Sequence, residues 1–492
     1  MSVFHLKGRS LHVALHVAAG LNFILFGYDQ GLLGGVINTP QFIEAYGHQP
    51  TDTIIGTVSS IYSIGAFFGA VLAACFGLRT GRRIMLILSC FCVISGAAIQ
   101  AASPSLGVMI PGRIITGFGV GISTSTVPIW ISETSNPNHR GRMVAAQLEI
   151  VLTGFMFSYW FDYAMSHVSS EASFRLPMAF QAIFPLMALL ILFILPESPR
   201  VLFSWGKFDE DVTVLGRLHD LPVTDPCIVS EKEQILHSIE VESEISGSIL
   251  RTLFWDKSDI KYRRCAITTL VLFLLQQFGG CTFIGYYAPI IFQTSIGMST
   301  ELSSIMSCAM ATSYAVGGIF PVLMIDRIGR RKMMLGGAVA TSAAFIALTA
   351  LCSQASNSTA VGWGAAIMVI VFILIFAMTW NALPWVYASE LMPLNMRHIN
   401  GAIGAGSEFI FQFTVLEMAP HAIASSGWKI YIFFAVFNIL MFPFVYFFCP
   451  ETAKKSLEEI DFIYLGSPME GLESGQEGPA IVEQPIATKG EN

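Results

Sequence analysis

Long apolar blocks alternate with short polar breaks along nearly the whole chain. A helix needs ~20 mostly apolar residues to cross a bilayer. Twelve blocks approach or exceed that length, at approximately 11–37, 53–76, 84–102, 106–131, 143–163, 177–195, 264–292, 302–325, 333–352, 361–388, 400–422 and 428–448. A polar interval, 196–263, separates the sixth block from the seventh. The pattern predicts an all-α membrane protein: a cytoplasmic N-terminus (1–10), a six-helix bundle (11–195), a cytoplasmic helical loop (196–263), a second six-helix bundle (264–448) and a cytoplasmic tail (449–492). Short helices are expected in the loop near 208–218 and 230–243, and an amphipathic one over 451–465. From about 466 the Gly-, Glu-, Pro- and Ser-rich tail reads as disordered.

Composition agrees: 53% of residues are hydrophobic, only 12% are charged, and mean hydropathy is +0.62. Charge placement tests the topology. With both termini inside, 24 of the 27 Lys and Arg fall on the cytoplasmic side, as positive-inside orientation demands. The exceptions are Arg175 and Lys429 outside and Arg113 within a block. No small-residue cleavage site follows the first block, so it is expected to be retained as a helix. The nine cysteines show neither metal-ligand spacing nor a disulfide framework. The sequon at Asn357 falls on the outer side and is a candidate glycosylation site.

The two halves repeat each other. Gly81-Arg82-Arg83 returns as Gly329-Arg330-Arg331, with Asp326 ahead of it. Glu133, followed by Arg140, returns as Glu390, followed by Arg397. Pro196-Glu197-Ser198 returns as Pro450-Glu451-Thr452. Three motifs in one order at offsets of 248, 257 and 254 residues mark a duplicated six-helix unit. Parallel six-helix repeats are a transporter architecture with the substrate site between the halves. All the repeated motifs lie on the cytoplasmic side. There Glu133, Glu197, Glu390 and Glu451 can pair with Arg82, Arg83, Arg140, Arg330, Arg331 and Arg397 to latch the halves together, or the arginines can simply fix topology.

Two charges lie deep. Asp29, about 8 residues from the end of the first block, and Arg113, about 7 into the fourth, are both ~10–12 Å below the same surface at ~1.5 Å per residue. A carboxylate at mid-membrane costs ~2.5–3.5 kcal/mol on insertion scales, so a partner or a function is expected. The pair is read as a proton-coupling device, against the alternative of a fixed structural ion pair.

Taken together, Gly27-Tyr28-Asp29, Gly112-Arg113, Arg140-Gly141-Arg142, Pro196-Glu197-Ser198-Pro199-Arg200, Gln276-Gln277, Tyr286-Tyr287, Pro384-Trp385 and Pro450-Glu451-Thr452 resemble the sugar porter family of the major facilitator superfamily, in a fungal style. The resemblance implies the major facilitator fold and alternating access around a central sugar site. By this resemblance the substrate-binding candidates are Phe26, Gln276, Gln277, Tyr286 and Trp385, with Gln147, Thr282, Asn381, Glu408 and Gln412 at or beside positions where the usual residue is changed. A family Gln falls on Leu148, an Asn on Tyr314, and an Asn-Trp pair on Glu408-Phe409, so glucose is not implied. Glu149 and Glu408 occupy corresponding helices at similar depth. Either one or both line the cavity, disfavouring anionic substrates, or each is neutral or locally paired.

The expected function is proton-coupled symport of a neutral sugar or polyol, with protons and the lipid bilayer as the other partners. Alternatives are a passive facilitator, a metabolite exporter or, less favoured for its short tail, a non-transporting sugar sensor. No nucleophile–base set, metal cluster or phosphate loop appears, so no enzyme activity, metal, cofactor or nucleic-acid partner is expected. A monomer in the plasma membrane is the expected state.

Overall fold

The computed structural model describes residues 6–37, 39–46, 52–134, 140–206, 208–244, 260–354, 358–391 and 397–453. It is helical, with no strand among the described residues. The spans of the first half are Gly8–Val36, Asp52–Thr80, Arg82–Ala102, Leu106–Thr134, Arg140–Ser166 and a sixth broken into Ala172–Phe180 and Ile183–Leu192. Short helices Pro199–Ser204, Phe208–His219 and Pro226–Glu244 follow in the central loop. The second half comprises Ile260–Phe278 continued by Cys281–Ile290, then Thr300–Ile328, Arg330–Cys352, Thr359–Met378 continued by Leu383–Leu391, Arg397–Ser426 and Ile430–Phe448. The final apolar stretch runs 49 residues, and the tight turn Gly427–Lys429 divides it into two helices, which brings the number of spans to twelve. Most helices overrun the apolar blocks by several residues, because helical hydrogen bonding continues into the polar margins where hydropathy has already fallen.

Asn357, the continuation over 451–465 beyond residue 453, and the tail from about 466 lie outside the described residues, as do the side chains of Arg140 and Arg397.

Glycines set how closely the helices approach. A Cβ at Gly27 would lie 1.8 Å from the Val151 carbonyl oxygen, and one at Gly154 2.2 Å from that of Ile24, so the first and fifth spans cross backbone to backbone. Gly65 and Gly117 do the same for the second and fourth, at 2.2 and 2.1 Å. In lipid, where apolar burial drives helices together only weakly, such small-residue seams supply the packing.

The breaks in the seventh and tenth spans shape the centre. Gly280 (φ +92°) interrupts the seventh in the left-handed region, and Phe345 and Phe434 crowd its α-carbon. Thr379 (φ −132°, ψ −77°) leaves helical geometry in the tenth and frees backbone carbonyls that must find donors inside the membrane.

Candidate functional site: a cavity between the halves and a buried charge pair

Residues of both halves meet around a tightly closed central cavity of about 40 Å³. Phe26 and Gln30, one helical turn apart on the first span, reach its wall. On the fifth span the wall is Leu148, Val151, Leu152 and Phe155, the i, i+3, i+4, i+7 stripe. Gln147 was the expected residue there; it is buried but, about 100° round the helix from Leu148, lines no part of this cavity.

The second half provides the polar groups. The break at Gly280 turns Thr282 back onto Gln277, so its hydroxyl donates to the Gln277 Oε1 although five residues separate them. Gln276 donates from Nε2 to the carbonyls of Trp380 (3.1 Å) and Asn381 (3.0 Å), satisfying the backbone freed by the break in the tenth span. Its Oε1 is buried without a partner. Tyr314 donates to Asn381 Oδ1 at 2.8 Å. Trp385 stands edge-on to Phe273, ring centres 5.0 Å apart, and lines the cavity. Glu408 also reaches the wall, 7% exposed, with Oε2 unpartnered.

Glu149 does not share that position. It turns onto the eighth span, where its Oε2 lies 2.0 Å from where a Cβ on Gly318 would be, so the two acids of matching depth part company. Gln412 is likewise displaced from the cavity. Its Oε1 accepts from Ser63 at 3.1 Å and its Nε2 reaches the Tyr286 hydroxyl at 3.4 Å.

Gln412 belongs to an outer closure joining the halves. Glu417 accepts hydroxyls from Ser60 (2.6 Å) and Thr57 (3.2 Å) of the second span, and Tyr159 of the fifth donates to the Gly285 carbonyl of the seventh. Gln30 and this closure escaped the site reading of the sequence, in which Tyr314 stands only as a changed position. Gln30 had a signal in being one turn beyond Phe26; the closure had none, since its partners lie more than 100 residues apart.

The first span positions the charge pair. With Phe26 and Gln30 facing the cavity, Asp29 points instead to the fourth span, where Arg113 Nη1 is 3.6 Å from Asp29 Oδ1; both side chains are fully buried. Neither carboxylate oxygen and none of the three guanidinium nitrogens makes a hydrogen bond. The guanidinium carbon lies 4.8 Å from the centre of the Tyr62 ring.

At the end of the bundle nearest the central loop, each half builds the same network. Glu133 Oε1 pairs with Arg82 (3.1 Å) and Oε2 accepts from Ser198 (2.6 Å); Glu390 Oε1 pairs with Arg330 (2.7 Å) and Oε2 accepts from Thr452 (2.7 Å). Asp326 adds a second contact to Arg330 at 3.1 Å. Glu197 accepts the backbone amides of Arg82 (2.8 Å) and Arg83 (3.1 Å), and Glu451 those of Arg330 (2.9 Å) and Arg331 (3.1 Å). Each therefore caps the first turn of a helix from outside it. Burial pushes the Glu197 carboxyl above its usual range, and the amides it accepts pull it back. Arg83 donates to the carbonyls of Leu192 (2.7 Å) and Phe193 (2.8 Å) at the end of the sixth span, and Arg331 to that of Tyr446 (2.8 Å) near the end of the twelfth.

The latch expected between the halves also involves Arg140 and Arg397, whose side chains lie outside the described residues. Among the described residues these pairs close within each half, because each acid's oxygens are occupied by donors from its own bundle. Among the described residues, the hydrogen bonds found between the halves, such as Ser60–Glu417 and Tyr159–Gly285, lie toward the end of the bundle away from the central loop.

The sequence pattern of the family described as "Sugar (and other) transporter" matches residues 13–464. The chain belongs to this family, within the major facilitator superfamily. It is 35% identical over 472 residues to the MFS-type transporter oryC of Aspergillus oryzae, covering 94% of this chain and 87% of that one. It is 33% identical over 480 residues to the sugar transporter STL1 of Saccharomyces cerevisiae, covering 95% and 84%. Among solved structures, the proton:xylose symporter XylE bound to 6-bromo-6-deoxy-D-glucose superposes with a TM-score of 0.78 at 22% identity, covering 92% of this chain and 99% of that one. The chain shares that twelve-helix fold and is a multi-pass membrane protein.

Proposed function

We propose that this protein carries a neutral sugar or polyol across the membrane by alternating access, driven by protons through Asp29 and Arg113. The observation that carries the reading is the fully buried ion pair without hydrogen bonds, adjacent in sequence to a cavity-lining residue, Gln30. Protonating Asp29 releases Arg113 and frees the first and fourth spans to repack; deprotonation draws them together. A potential of ~100 mV supplies ~2.3 kcal/mol per charge and one pH unit ~1.4 kcal/mol. Together these support a several-hundred-fold accumulation at one proton per substrate, ~1.4 kcal/mol being tenfold.

The cavity favours ligands rich in hydroxyls. Gln276 Oε1 and Glu408 Oε2 are unpartnered acceptors, while Trp385 and Phe26 give apolar faces for a ring or chain. Glu408 weighs against carboxylate-bearing substrates. Plasma-membrane residence, cytoplasmic termini and the absence of enzyme activity belong to the same proposal.

The test is uptake into proteoliposomes of labelled hexoses, pentoses, disaccharides, polyols and a sugar acid, with and without an imposed pH gradient. Gradient-driven accumulation of a neutral member supports the proposal. Equilibration unaffected by the gradient makes the protein a passive facilitator; binding without movement makes it a sensor. If Glu408→Gln leaves both rate and selectivity unchanged, the role given to that residue is wrong.

A further inference from the structure

A second cavity, about 280 Å³, lies on the outer side between the halves. The first half contributes Gly35, Tyr159, Asp162 and Ser166, and the second Gln293, Ser304 and Ser307, among others. Asp162 is 3% exposed, and neither of its oxygens has a partner. The carboxylate is fitted closely. A Cβ on Gly35 would lie 2.5 Å from its Cβ and from Oδ2, so the first span needs a residue without a side chain at this crossing.

The three serine hydroxyls around the cavity have already spent their protons. Ser166 donates to the Tyr163 carbonyl (2.7 Å), Ser304 to that of Thr300 (3.0 Å) and Ser307 to that of Ser303 (2.7 Å). The Gln293 amide donates to Ser303 Oγ (2.9 Å). What remains toward the cavity is mainly acceptors (hydroxyl oxygens, the Gln293 Oε1, Glu301 at the rim and the Asp162 carboxylate), beside the Tyr163 hydroxyl and the His167 ring, which can donate, and with no Lys or Arg in the wall. Among the described residues no cluster suited to a metal ion occurs. A wall of acceptors selects a ligand that brings donors, and a carboxylate can accept from two adjacent hydroxyls at once.

Tyr159 lies between the two cavities. It lines the outer one, and its hydroxyl holds the Gly285 carbonyl of the central one. We propose that the outer cavity is an antechamber in which Asp162 accepts hydroxyls of a polyol or sugar before the Tyr159–Gly285 contact opens and passes it to the centre. The inference rests on the proposed neutral polyhydroxyl substrate.

Two measurements test it, with tritiated xylitol, sorbitol and D-glucose as probes. In oriented proteoliposomes, Asp162→Asn is expected to raise the half-saturating concentration for inward transport at least fivefold while leaving that for outward transport unchanged. Ser304→Met, which fills the cavity without touching the acid, is expected to give the same asymmetry. Equal changes in both directions, or none, overturn the antechamber; so does competition by tetramethylammonium without competition by polyols, which would mark a cation pocket. Equilibrium dialysis against the purified full chain reads binding apart from transport, with stoichiometry expected to fall from two to one in Asp162→Asn. If no probe is transported yet this fall is seen, the antechamber stands and the transport reading fails. If transport is normal and stoichiometry is unchanged, the reverse holds.

Discussion

Asp29 and Arg113 sit 3.6 Å apart with no solvent exposure and no hydrogen bond to each other or to anything else. Removing one partner of a buried, well-bonded pair commonly costs ~3–5 kcal/mol, because the other charge is left alone. Here the partners attract without being clamped. A proton on the carboxylate removes the attraction and breaks no bonds, which suits a switch better than a girder.

Asp29→Asn is therefore expected to abolish substrate-driven proton uptake, read as external alkalinisation in a weakly buffered vesicle suspension, while exchange of labelled for unlabelled substrate continues. Arg113→Lys keeps the charge but not the flat cation over Tyr62, and should slow net transport by tenfold or more. Coupled proton movement surviving in Asp29→Asn would show that the acid is not the proton carrier.

The outer closure predicts a conformational shift. Glu417→Ala removes the acceptor of Ser60 and Thr57 and should favour the outward-open state. Cys281, buried in the central cavity wall, reports it: in a protein with its other cysteines replaced by serine, labelling by a membrane-impermeant thiol reagent from outside should rise severalfold. Unchanged labelling would mean that this contact does not hold the outer side shut.

Glu197 and Glu451 should behave as helix caps. Replacing either by Ala strands three backbone amides and is expected to cost about 1–2 kcal/mol, seen as a lower unfolding temperature. The sites lie in different halves, so the double variant should lose about the sum of the two. A loss of transport rate with no loss of stability would instead indicate a gating role.

Close helix crossings give a contrast between two glycines. Gly27→Ala forces a methyl group into the Val151 carbonyl and should lower stability by about 3 kcal/mol or more, whereas Gly336→Ala, with nothing within 4 Å, should be neutral or slightly stabilising. Thermal unfolding of the purified proteins checks both.

The sequence determined this protein's number of spans and their duplication, because bilayer insertion depends on the length of apolar runs, a one-dimensional property. It also brought Asp29 and Arg113 together, since depth along a helix can be counted from its end. Rotation and bending cannot be counted that way. Only the tertiary structure decided that Leu148 rather than Gln147 faces the cavity, that Glu408 lines it while Glu149 turns onto Gly318, and that Gln276 is committed to the broken backbone of the tenth span. Only it showed that the cytoplasmic acids close within each half while Glu417 and Gln412 join the halves outside. A change of 100° about a helix axis, or one left-handed residue at Gly280, moves a side chain from one wall to another without altering the hydropathy of the segment.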